Sequence, residues 1–467
     1  MPRRAEQVLS VAAMRAAEEA LMGAGTSVHE LMQRAGRGAA DYIWRMAAHR
    51  SVTVLCGPGN NGGDGYVIAE AIRERGGKVC VIAASEAMTD AAKTARDLYR
   101  GDVAGAGHES SGDVLVDCLV GSGLTRPLTP DHQGLLQRLA ARHQQAVAID
   151  LPSGIEADSG IPLNSGLPDY DLTIALGAWK FAHFLMPAMA KLGTLRLVEI
   201  GVLPVPGAAG VIERPVLPVP ACDAHKYRRG LLAVVSGDMP GASVLAAKAA
   251  QGAGAGYVKL LASGTPPVPA DLVADHSPLA EVLADKRLAA VLAGPGLGRS
   301  SEARERLAVA LAAGHPCVLD ADALMLLGSR QIAERQAPLI ATPHEGELQQ
   351  LEATFGCDGH GCKADRAQAL AKRSGMIVVA KGPDTVIAAP DGRMALAQRA
   401  SSWLSVAGTG DVLAGTIASR LASGADAFDA ACQGVWLHGE AARLCGNRPF
   451  SASALARLVP RAYAAAL

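Results

Sequence analysis

The sequence is poor in the features that mark membrane proteins and nucleic-acid-binding proteins. Aromatic residues make up only 3% of the 467 residues, and 44 basic residues nearly balance 45 acidic ones, for a net charge of -1. Few aromatic rings argue against a base-stacking surface, and the missing basic excess argues against nucleic acid or an anionic membrane as a partner. No apolar run is long enough to cross a bilayer. We therefore expect no nucleic-acid partner and no membrane association.

The cysteines and the N-terminal residues bear on the cellular compartment. The nine cysteines are odd in number and scattered along the chain, which predicts reduced thiols rather than a disulfide framework. Residues 10–22 carry Arg15, Glu18 and Glu19 within an amphipathic helical pattern, and a signal peptide would not contain these charges. We therefore expect a cytoplasmic protein.

The chain is longer than one hydrophobic core usually serves, so at least two domains are expected. Strand-like and helix-like segments alternate up to about residue 200, which predicts an α/β domain with a doubly wound parallel sheet. Residues 202–221 are rich in proline and small residues and predict an extended linker. A second α/β alternation follows. We place the domain boundaries at residues 1–205 and 222–467.

The predicted strands are short apolar runs rich in β-branched residues. In the first domain they are 51–56, 78–83, 113–118, 146–150, 172–176 and 195–200. In the second domain they are 231–236, 257–262, 290–293, 317–320, 339–342, 376–381 and 385–388. Predicted helices include 91–100, 132–143 and 243–251.

The glycine-rich segment 57–65, GPGNNGGDG, lies between the first predicted strand and a helical pattern. Such a strand-to-helix turn brings backbone N–H groups and a helix N-terminus to a phosphate. Asn60, Asn61 and Asp64 add amide and carboxylate oxygens, which suit a cation or ribose hydroxyls. The alternative interpretation is a tight turn stabilised by hydrogen bonds from the asparagine side chains.

Polar residues also follow the third and fourth predicted strands. Asp117 and the glycine-containing segment 121–127 follow the third strand, and Asp150 with the Pro-Ser-Gly turn 152–154 follows the fourth. Because ligands of parallel sheets bind at the carboxyl ends of the strands, we expect these residues to share one crevice. Asp150 is predicted to carry acid–base chemistry there, and its alternative role is to cap the turn.

The second half contains its strongest motif at residues 407–415, AGTGDVLAG. Glycines that lead directly into an apolar helix leave free N–H groups, which predicts an anion hole for a transferring phosphoryl group. Asp411 lies at the start of this helix, where it is placed to accept a proton from a substrate hydroxyl. The simpler interpretation is a helix N-cap formed by Thr409 or Asp411.

Further motifs follow other strands of the second half. Residues 381–385 join two predicted strands, as a nucleotide-lining loop would, and residues 294–298 form another glycine turn. His344 is a candidate contact for substrate or phosphate, or else a structural histidine. Asp320 and Asp322 are candidates for holding Mg²⁺ near phosphates.

Together these motifs resemble two known domains. Residues 59–65, 117, 121–123, 150 and 152–154 are similar to those of the NAD(P)H-hydrate epimerase domain. Residues 225–226, 294–298, 342–347, 381–385 and 408–411 are similar to those of the ADP-dependent NAD(P)H-hydrate dehydratase, a ribokinase-like domain. Their order in one chain resembles the bacterial bifunctional NAD(P)H-hydrate repair family.

The resemblance implies a Rossmann-like first domain that interconverts the R and S hydrates of NADH and NADPH. It implies K⁺ bound by Asn61, Asp117 and Ser153. The implied contacts to the hydrated nucleotide are Asn60, Asn61, Gly62, Gly63, Asp64, Gly121, Ser122, Gly123, Leu124, Thr125, Arg126, Pro127 and Asp150.

For the second domain the resemblance implies a ribokinase-like fold that uses ADP to dehydrate the S hydrate back to the reduced cofactor. The implied contacts to the hydrate are Ala242, Gly296, His344 and Asp411. The implied contacts to ADP are Lys381, Gly382, Pro383, Asp384, Thr385 and Gly410. Mg²⁺ and assembly into a homo-oligomer are also expected.

Two local departures from the family pattern affect the second site. Glu345 follows His344 where the family usually has proline, and residues 236–238 replace a turn richer in glycine and serine. The rival interpretations are a ribokinase-like small-molecule kinase with an accessory module, and a first domain that only binds or scaffolds. Asn61, Asp117 and Ser153 beside Asp150 favour a working site, because a scaffold needs none of these residues.

Overall fold

The computed structural model describes residues 7–262, 264 and 267–467. The chain forms two compact units, Met1–Gly210 and Val211–Leu467. Residues 1–6, with which the predicted first domain begins, lie outside the described residues. Each unit is an α/β structure, as the sequence predicts.

The strands of unit 1 are mostly short and the helices lie between them. The strands are β1 (Gln7–Val8), β2 (Val52–Cys56), β3 (Val79–Ala83), β4 (Val103–Gly105), β5 (Gly112–Cys118), β6 (His143–Ile149), β7 (Leu172–Leu176), β8 (Thr194–Val198) and, at the unit boundary, β9 (Ala209–Val211). The helices are α1 (Val11–Gly23), α2 (Val28–Ala47), α3 (Asn60–Glu74), α4 (Asp90–Leu98) and α5 (Pro130–Ala140).

Seven strands of unit 1 form one parallel sheet in the order β4-β3-β2-β5-β6-β7-β8. Helices α2 and α3 pack their apolar residues on one face, and α5 packs on the other. The prediction of a doubly wound parallel sheet is therefore confirmed. The strand order reverses between β2 and β5, and sheets of this kind bind ligands at the carboxyl ends of the strands at such a point.

Unit 2 is also an α/β structure, but its strands follow a different order in the sheet. Its strands are β10 (Leu231–Val235), β11 (Tyr257–Leu261), β12 (Val273–Asp275), β13 (Leu288–Ala293), β14 (Cys317–Leu319), β15 (Leu339–Ala341), β16 (Ile377–Ala380), β17 (Val386–Ala388) and β18 (Met394–Leu396). Its helices are α6 (Pro240–Gly252), α7 (Leu279–Leu283), α8 (Ser301–Ala312), α9 (Asp322–Leu326), α10 (Glu345–Phe355), α11 (Lys363–Ser374), α12 (Thr409–Ala422), α13 (Ala427–Cys445) and α14 (Ala452–Ala464).

Within unit 2 the strands run in the order β18-β17-β16-β15-β14-β13-β10-β11-β12. The pairs from β16 to β12 are parallel, whereas β17 and β18 join antiparallel. The apolar faces of α6, α12 and α13 cover one side of this sheet. The order reverses between β10 and β13, so the turns after these two strands flank a second ligand-binding edge.

The structure corrects three details of the sequence prediction. The segment 57–65 is not a loop throughout, because α3 already begins at Asn60. The predicted helix 132–143 ends earlier, at Ala140, and His143 begins β6. The predicted linker 202–221 contains strand β9, and Leu217 within it is buried.

Five of the strands that the structure describes were missed by the sequence prediction: β1, β4, β9, β12 and β18. Each is only two or three residues long, and a run that short gives too little pattern to detect. Among the described residues, no helix combines the length and apolarity that a bilayer crossing requires.

Candidate functional sites

The start of α3 depends on glycine at close contacts. A Cβ on Gly57 would lie 1.8 Å from the Leu119 carbonyl oxygen, and one on Gly62 would lie 1.9 Å from the Gly57 carbonyl oxygen. Only glycine permits this approach between the end of β2, the end of β5 and the first turn of α3. The N-cap residue, Gly59, has no side chain to cap the helix, so the first N–H groups of α3 are available to an anion.

Asp150 follows β6 and adopts a left-handed backbone conformation with φ of +64°. For a residue with a side chain this conformation costs free energy, and it persists where the surroundings enforce it. Lys180 Nζ donates to Asp150 Oδ1 at 2.5 Å, and the Ser122 backbone N–H donates to Oδ2 at 3.0 Å. The Asp150 side chain is therefore held in place by a lysine and by the predicted glycine loop.

Lys180 was not singled out in the sequence, yet it is central to this site. Its side chain is only 1% exposed, and Nζ also donates to the Leu176 carbonyl oxygen at 2.8 Å. It lies in the segment after β7, at the same sheet edge as Asp150. The rule that located the other residues, polar side chains after parallel strands, applies equally to Lys180.

His183 supports Asp150 from the backbone side. Its Nε2 lies 2.8 Å from the Asp150 carbonyl oxygen, and its Nδ1 accepts from the Lys180 backbone N–H at 2.9 Å. Burial and the nearby charge of Lys180 lower the pKa of His183 to about 4, so the ring is neutral at neutral pH. A neutral ring with its proton on Nε2 satisfies both contacts.

The carboxyl groups of this site differ in the direction in which their pKa values are shifted. Burial alone would raise the pKa of Asp150, but the charge and hydrogen bond of Lys180 outweigh it and the pKa is lowered. Burial and the charge of Asp150 raise the pKa of Asp64 well above its usual value. Burial likewise raises the pKa of Glu18, a residue of α1 that the sequence did not point to as functional. The site thus combines a carboxyl whose pKa is lowered with two whose pKa is raised, an arrangement suited to acid–base chemistry.

Asp117 and Ser153, two of the residues proposed for K⁺, are in direct contact. Ser153 Oγ donates to Asp117 Oδ1 at 2.7 Å, and Tyr170 Oη donates to Oδ2 at 2.5 Å. The backbone N–H groups of Leu119 and Ser153 donate to the same carboxyl at 3.0 Å each. Burial raises the pKa of Asp117, and these hydrogen bonds partly oppose the rise. Tyr170 was missed in the sequence because it lies in the loop before β7.

Asn61 lies at the glycine loop beside Asp150. With its amide nitrogen turned toward the Ile149 carbonyl oxygen (3.3 Å), its amide oxygen accepts from the Gly121 N–H at 3.2 Å. A Cβ on Gly121 would lie 3.1 Å from Asn61 and from Asp150 Oδ2. The structure therefore brings Asn61, Gly121 and Asp150 together.

Some of the other residues predicted to bind the hydrate in unit 1 are exposed, and others are buried. Ser122 contacts Asp150 through its backbone, as described, and Asn60 Oδ1 accepts from the Thr89 hydroxyl at 2.7 Å. The side chain of Leu124 is buried in the core below the loop, so it anchors the loop instead of facing a ligand. Exposed positions are Gly123, Thr125, Arg126 and Pro127, and buried glycines of α3 are Gly62 and Gly63.

The start of α12 in unit 2 has an uncapped N-terminus. Its N-cap residue is Gly408, with φ of +91°, so neither Thr409 nor Asp411 caps the helix as the simpler interpretation expected. The Thr409 hydroxyl instead donates to the Leu404 carbonyl oxygen at 2.9 Å and fixes the preceding loop. The free N–H groups at this end form a ready anion site.

Asp411 lies in the first turn of α12. Burial raises its pKa to about 6, with a further rise from the charge of Asp320 and an opposing effect from Lys381. A general base works best when its pKa lies near the working pH. Asp411 therefore has the protonation behaviour that its proposed role requires.

Lys381 connects the ends of two strands in unit 2. Its Nζ donates to Asp320 Oδ1 at 2.6 Å, and the Thr342 hydroxyl donates to the same oxygen at 2.7 Å. A Cβ on Gly410 would lie 3.5 Å from Lys381 Nζ, which places the lysine beside the N-terminus of α12. A cation and a helix N-terminus converge here on one position.

Asp320 and Asp322, the candidates for holding Mg²⁺, each accept from a basic side chain. Asp320 is neutralised by Lys381, as described, and Asp322 Oδ1 accepts from Arg299 Nε at 2.9 Å. Asp322 Oδ2 also accepts from the Gly298 N–H at 3.0 Å. No group of three or more His, Cys, Asp or Glu side chains suited to a metal occurs in the part of the chain that the structure describes. Both carboxylates serve internal ion pairs.

His344 caps α10 and keeps its ring exposed. Its Nδ1 accepts from the Gly346 N–H at 3.0 Å, while the side chain remains 62% exposed. Glu347 Oε2 accepts from the His344 N–H at 2.8 Å, and burial raises the pKa of Glu347. Glu345, which replaces the usual proline, pairs with Arg366 at 2.8 Å. The turn is thus fixed by hydrogen bonds and an ion pair.

The predicted ADP loop has one exposed and one buried side. Gly382 and Pro383 are exposed, whereas Asp384 is buried and forms an ion pair with Lys363 of α11. Thr385 Oγ1 donates to the Gly382 carbonyl oxygen at 2.9 Å and closes the turn. The Asp384 side chain therefore anchors this loop instead of facing a ligand.

Ala242 and Gly296, two residues proposed to contact the hydrate, are neighbours. Gly296 has φ of +65°, and a Cβ there would lie 2.0 Å from the Met239 carbonyl oxygen and 3.2 Å from Ala242 Cβ. This contact joins the turn after β13 to the start of α6, across the point where the strand order reverses. The two turns that flank that point are therefore in contact.

Two family models match the chain, one in each unit. The model described as NAD(P)H-hydrate dehydratase matches residues 232–461. The model described as YjeF-related protein N-terminus matches residues 28–182.

Relatives match along nearly the whole chain. A Mycobacterium leprae protein named bifunctional NAD(P)H-hydrate repair enzyme Nnr is 32% identical and covers 98% of this chain and 99% of its own length. A Gloeobacter violaceus protein of the same name is 34% identical and covers 91% of this chain and 90% of its own. A crystal structure of ADP/ATP-dependent NAD(P)H-hydrate dehydratase from Bacillus subtilis, co-crystallised with ATP/Mg²⁺, is 29% identical, covers 54% of this chain and 95% of its own, and has a TM-score of 0.47.

Proposed function

The chain belongs to the family of bifunctional NAD(P)H-hydrate repair enzymes, and on that premise we propose which residues of each unit do the chemistry. The protein interconverts the R and S hydrates of NADH and NADPH, and it dehydrates the S hydrate to the reduced cofactor at the expense of ADP. Epimerisation belongs to unit 1 and dehydration to unit 2. The observation that carries this division is that each unit has its own charged site at the carboxyl edge of its own parallel sheet.

In unit 1, Asp150 is the acid–base residue that acts on the hydrated ring. Lys180 keeps its carboxyl ionised, and Ser122 orients the second oxygen through a 3.0 Å hydrogen bond. An ionised, oriented carboxylate at the ligand edge of the sheet is able to take a proton from the substrate or from water. The N-terminus of α3 and the loop 121–127 supply N–H groups for the phosphates of the nucleotide.

We assign K⁺ to Asn61, Asp117 and Ser153. Asp117 is a fully buried carboxyl for which no basic side chain forms an ion pair among the described residues. A monovalent ion would supply the missing positive charge, and the three side chains offer only oxygen ligands of low total charge. When bound, the ion supplies charge compensation, and these residues tie the start of α3 to the turn that carries Asp150.

In unit 2, Asp411 is the general base and ADP is the phosphoryl donor. Asp411 takes the proton of the ring hydroxyl while the hydroxyl oxygen attacks the terminal phosphorus of ADP. The bond between this phosphorus and the oxygen of the AMP leaving group breaks. The phosphate then leaves with the C–O electron pair, the adjacent ring carbon loses a proton to water, and the double bond of the reduced cofactor is restored. Lys381 and the free N–H groups of α12 stabilise the phosphoryl charge.

The remaining assignments in unit 2 concern binding. Gly382, Pro383 and Gly410 contact ADP, and Ala242, Gly296 and the exposed ring of His344 contact the hydrate. These residues lie in turns after the parallel strands or at helix starts. Mg²⁺ is not assigned to Asp320 or Asp322, because each is already paired with a cation.

The decisive experiment supplies pure R or pure S hydrate with and without ADP and follows the absorbance of the reduced nicotinamide. Asp150→Asn should repair the S hydrate at the wild-type rate but the R hydrate only as fast as spontaneous epimerisation allows. Asp411→Asn should epimerise normally and repair neither hydrate. Fast repair of both hydrates by Asp150→Asn would overturn the role of Asp150.

We also propose a cytoplasmic location and assembly into a homo-oligomer. All nine cysteines are free thiols in the structure, which suits a reducing compartment. Fractionation of cells that produce the protein tests the first proposal, and light scattering of the purified protein tests the second.

A further inference from the structure

Helix α1 has one face that meets the two loops flanking the unit 1 site. Met14 Cε would lie 2.4 Å from a Cβ placed on Gly177, the residue that follows β7 and precedes the Lys180 segment. Arg15 Nη2 would lie 3.8 Å from a Cβ on Gly123, in the loop whose Ser122 binds Asp150. Residues 14, 15 and 18 share a helix face, because positions three and four apart are neighbours. Glu18 is therefore the next side chain along the face that adjoins the site.

The N-terminal end of α1 is anchored, so this face is held in place. The Ser10 hydroxyl accepts from the Ala13 N–H at 3.2 Å, and Asp158 Oδ1 accepts from the Val11 N–H at 2.8 Å. Met14 belongs to the main core of unit 1. Glu18, one turn after Met14, is thereby fixed at the edge of the crevice.

Glu18 is half-buried and forms no hydrogen bond or ion pair among the described residues. The charges that act on its carboxyl are those of Lys180, Asp150 and Arg15, and Glu18 in turn acts on Asp64. A glutamate that serves only structure would be expected to pair with a cation or face solvent. Here an uncommitted carboxyl, whose pKa burial raises, lies on the helix that contacts the loops on both sides of the Asp150 site.

We propose that Glu18 is the second acid–base residue of the epimerase, and that it acts on the opposite side of the reacting carbon from Asp150. This inference rests on the proposed epimerase function of unit 1. Glu18 is carried by α1 and Asp150 follows the end of β6, so the two groups come to the site from separate elements. Lys180 forms an ion pair with Asp150, whereas Glu18 has no such partner among the described residues.

The two groups account for inversion at the hydroxyl-bearing carbon without any co-reactant. Glu18 donates a proton to the hydroxyl, the C–O bond breaks with its electron pair on oxygen, and water leaves as the ring nitrogen stabilises the cation. Water then adds to the other face of the same carbon, and Asp150 takes its proton. The product is the epimer, with one water lost and one gained. The reverse direction uses the same groups in exchanged roles.

Asp64 is the rival for this role, because its pKa is also raised. Asp64 lies on α3, the helix whose N-terminus is proposed to hold the phosphates, whereas Glu18 lies on a separate element, α1. Asp64 also lies among the residues proposed to bind the nucleotide. Its loss should therefore weaken substrate binding, whereas the loss of Glu18 should lower the turnover number.

The test compares Glu18→Gln with Glu19→Gln, the adjacent exposed glutamate of α1, in the full-length protein. Pure R hydrate is supplied without ADP in water enriched in oxygen-18, and chromatography with mass spectrometry follows both the S epimer and the label in the ring hydroxyl. We expect Glu18→Gln to lower kcat for both readouts by about 10²–10⁴-fold, with KM little changed. Glu19→Gln should match the wild type, in which label and epimer appear together.

Two further measurements separate the possible failures. Repair of S hydrate with ADP reports on unit 2 in the same sample, and the circular dichroism and melting of Glu18→Gln report on the fold of unit 1. Epimerisation by Glu18→Gln within about threefold of the wild type, or normal epimerisation without label exchange in the wild type, would overturn the inference. Absence of epimerisation in the wild type itself would overturn the proposed function of unit 1 instead. Loss of kcat in Asp64→Asn but not in Glu18→Gln would move the role to Asp64.

Discussion

Lys180 Nζ lies 2.5 Å from Asp150 Oδ1, and the two side chains are 1% and 9% exposed. A buried ion pair of this kind has little net effect on stability when complete, but removal of one partner leaves an uncompensated charge in the interior. The lysine therefore determines the protonation state of Asp150. It is also the only basic group that contacts this carboxyl among the described residues.

The first prediction follows from this ion pair. Lys180→Met should raise the pKa of Asp150, because burial then acts without the opposing charge, and epimerisation should be lost at neutral pH. The free energy of unfolding of unit 1 should fall by about 3–5 kcal/mol, as for other broken buried pairs. The pKa of Asp150 is lower in the folded protein than in the unfolded chain, so the ionised carboxylate stabilises the fold at any pH above the unfolded pKa. The difference in stability between wild type and Lys180→Met should therefore shrink as the pH falls from the unfolded pKa through the folded one.

The matched control for Lys180 is Lys191→Met in the same unit. Lys191 also pairs with an aspartate, Asp169, at 2.9 Å, but this aspartate side chain is 81% exposed. Exposed pairs contribute about 0–1 kcal/mol, so little change in stability or epimerisation is expected. Similar denaturation curves and rates for the two variants would contradict the proposed importance of Lys180.

The second prediction concerns the cation proposed at Asp117. Exchange of K⁺ for tetramethylammonium should weaken hydrate binding to unit 1, measured by calorimetry, because the larger ion cannot reach a buried carboxylate. Asp117→Asn should remove the dependence on K⁺. Asp113→Asn is the control, because Asp113 lies near the opposite end of β5 and binds Ser51 at 2.7 Å. Equal affinity in both salts would argue against the ion.

Much of the fold and of both sites was predictable because polar and glycine-rich segments directly follow the apolar runs that form strands. Short apolar runs rich in β-branched residues located the main strands, and the rule that parallel strands direct their carboxyl ends to one edge grouped Asp117 and Asp150 correctly. Asp117 and Ser153 indeed touch, with Oγ 2.7 Å from the carboxyl. The family resemblance is confirmed by relatives that match nearly the whole chain.

The remaining features depend on contacts between distant segments. Asparagine and glycine favour turns, so the start of α3 at Asn60 was not predictable from local preference. The close contact of Gly62 with Gly57 overrides that preference. Lys180 and Glu18 carry no motif, and their importance depends on α1 and on the segment after β7 meeting at the edge of the sheet. Asp384 and Leu124 lie in correctly predicted loops, but their side chains face the interior.

The third prediction concerns His438, which is half-buried behind the N-terminus of α12. Its Nε2 lies 3.0 Å from the Thr409 carbonyl oxygen, and burial lowers its pKa to about 4 from the usual 6.5. Between these values the unfolded chain binds a proton that the folded protein does not, so stability falls as the pH falls from 6.5 toward 4. The expected loss at pH 5 is about 2 kcal/mol.

A comparison of denaturant unfolding at pH 7 and pH 5 measures this loss. His438→Gln keeps a donor for Thr409 but does not titrate, so unit 2 of the variant should lose less stability between the two pH values than the wild type. His225→Gln is the control, because His225 is exposed. An equal pH dependence in wild type and His438→Gln would show that His438 does not contribute to acid sensitivity.

The last prediction concerns the pH dependence of dehydration. The pKa of Asp411 is raised to about 6, first by burial and then by Asp320, while Lys381 opposes the rise. If Asp411 is the base, kcat with S hydrate and saturating ADP should be constant above this pKa and fall about tenfold per pH unit below it.

Variants of the neighbouring charges test this assignment. Lys381→Met removes the charge that opposes the rise in the pKa of Asp411, so the acid limb of its pH profile should move to higher pH, in addition to any loss of rate. Lys372→Met, an exposed lysine of α11, should keep the wild-type profile. Asp411→Asn should lose about 10²–10⁴-fold in kcat and retain no acid limb in this range, because no base remains to titrate there. A wild-type profile that stays flat from pH 7 to pH 5, or an unshifted limb in Lys381→Met, would mean that another group takes the proton.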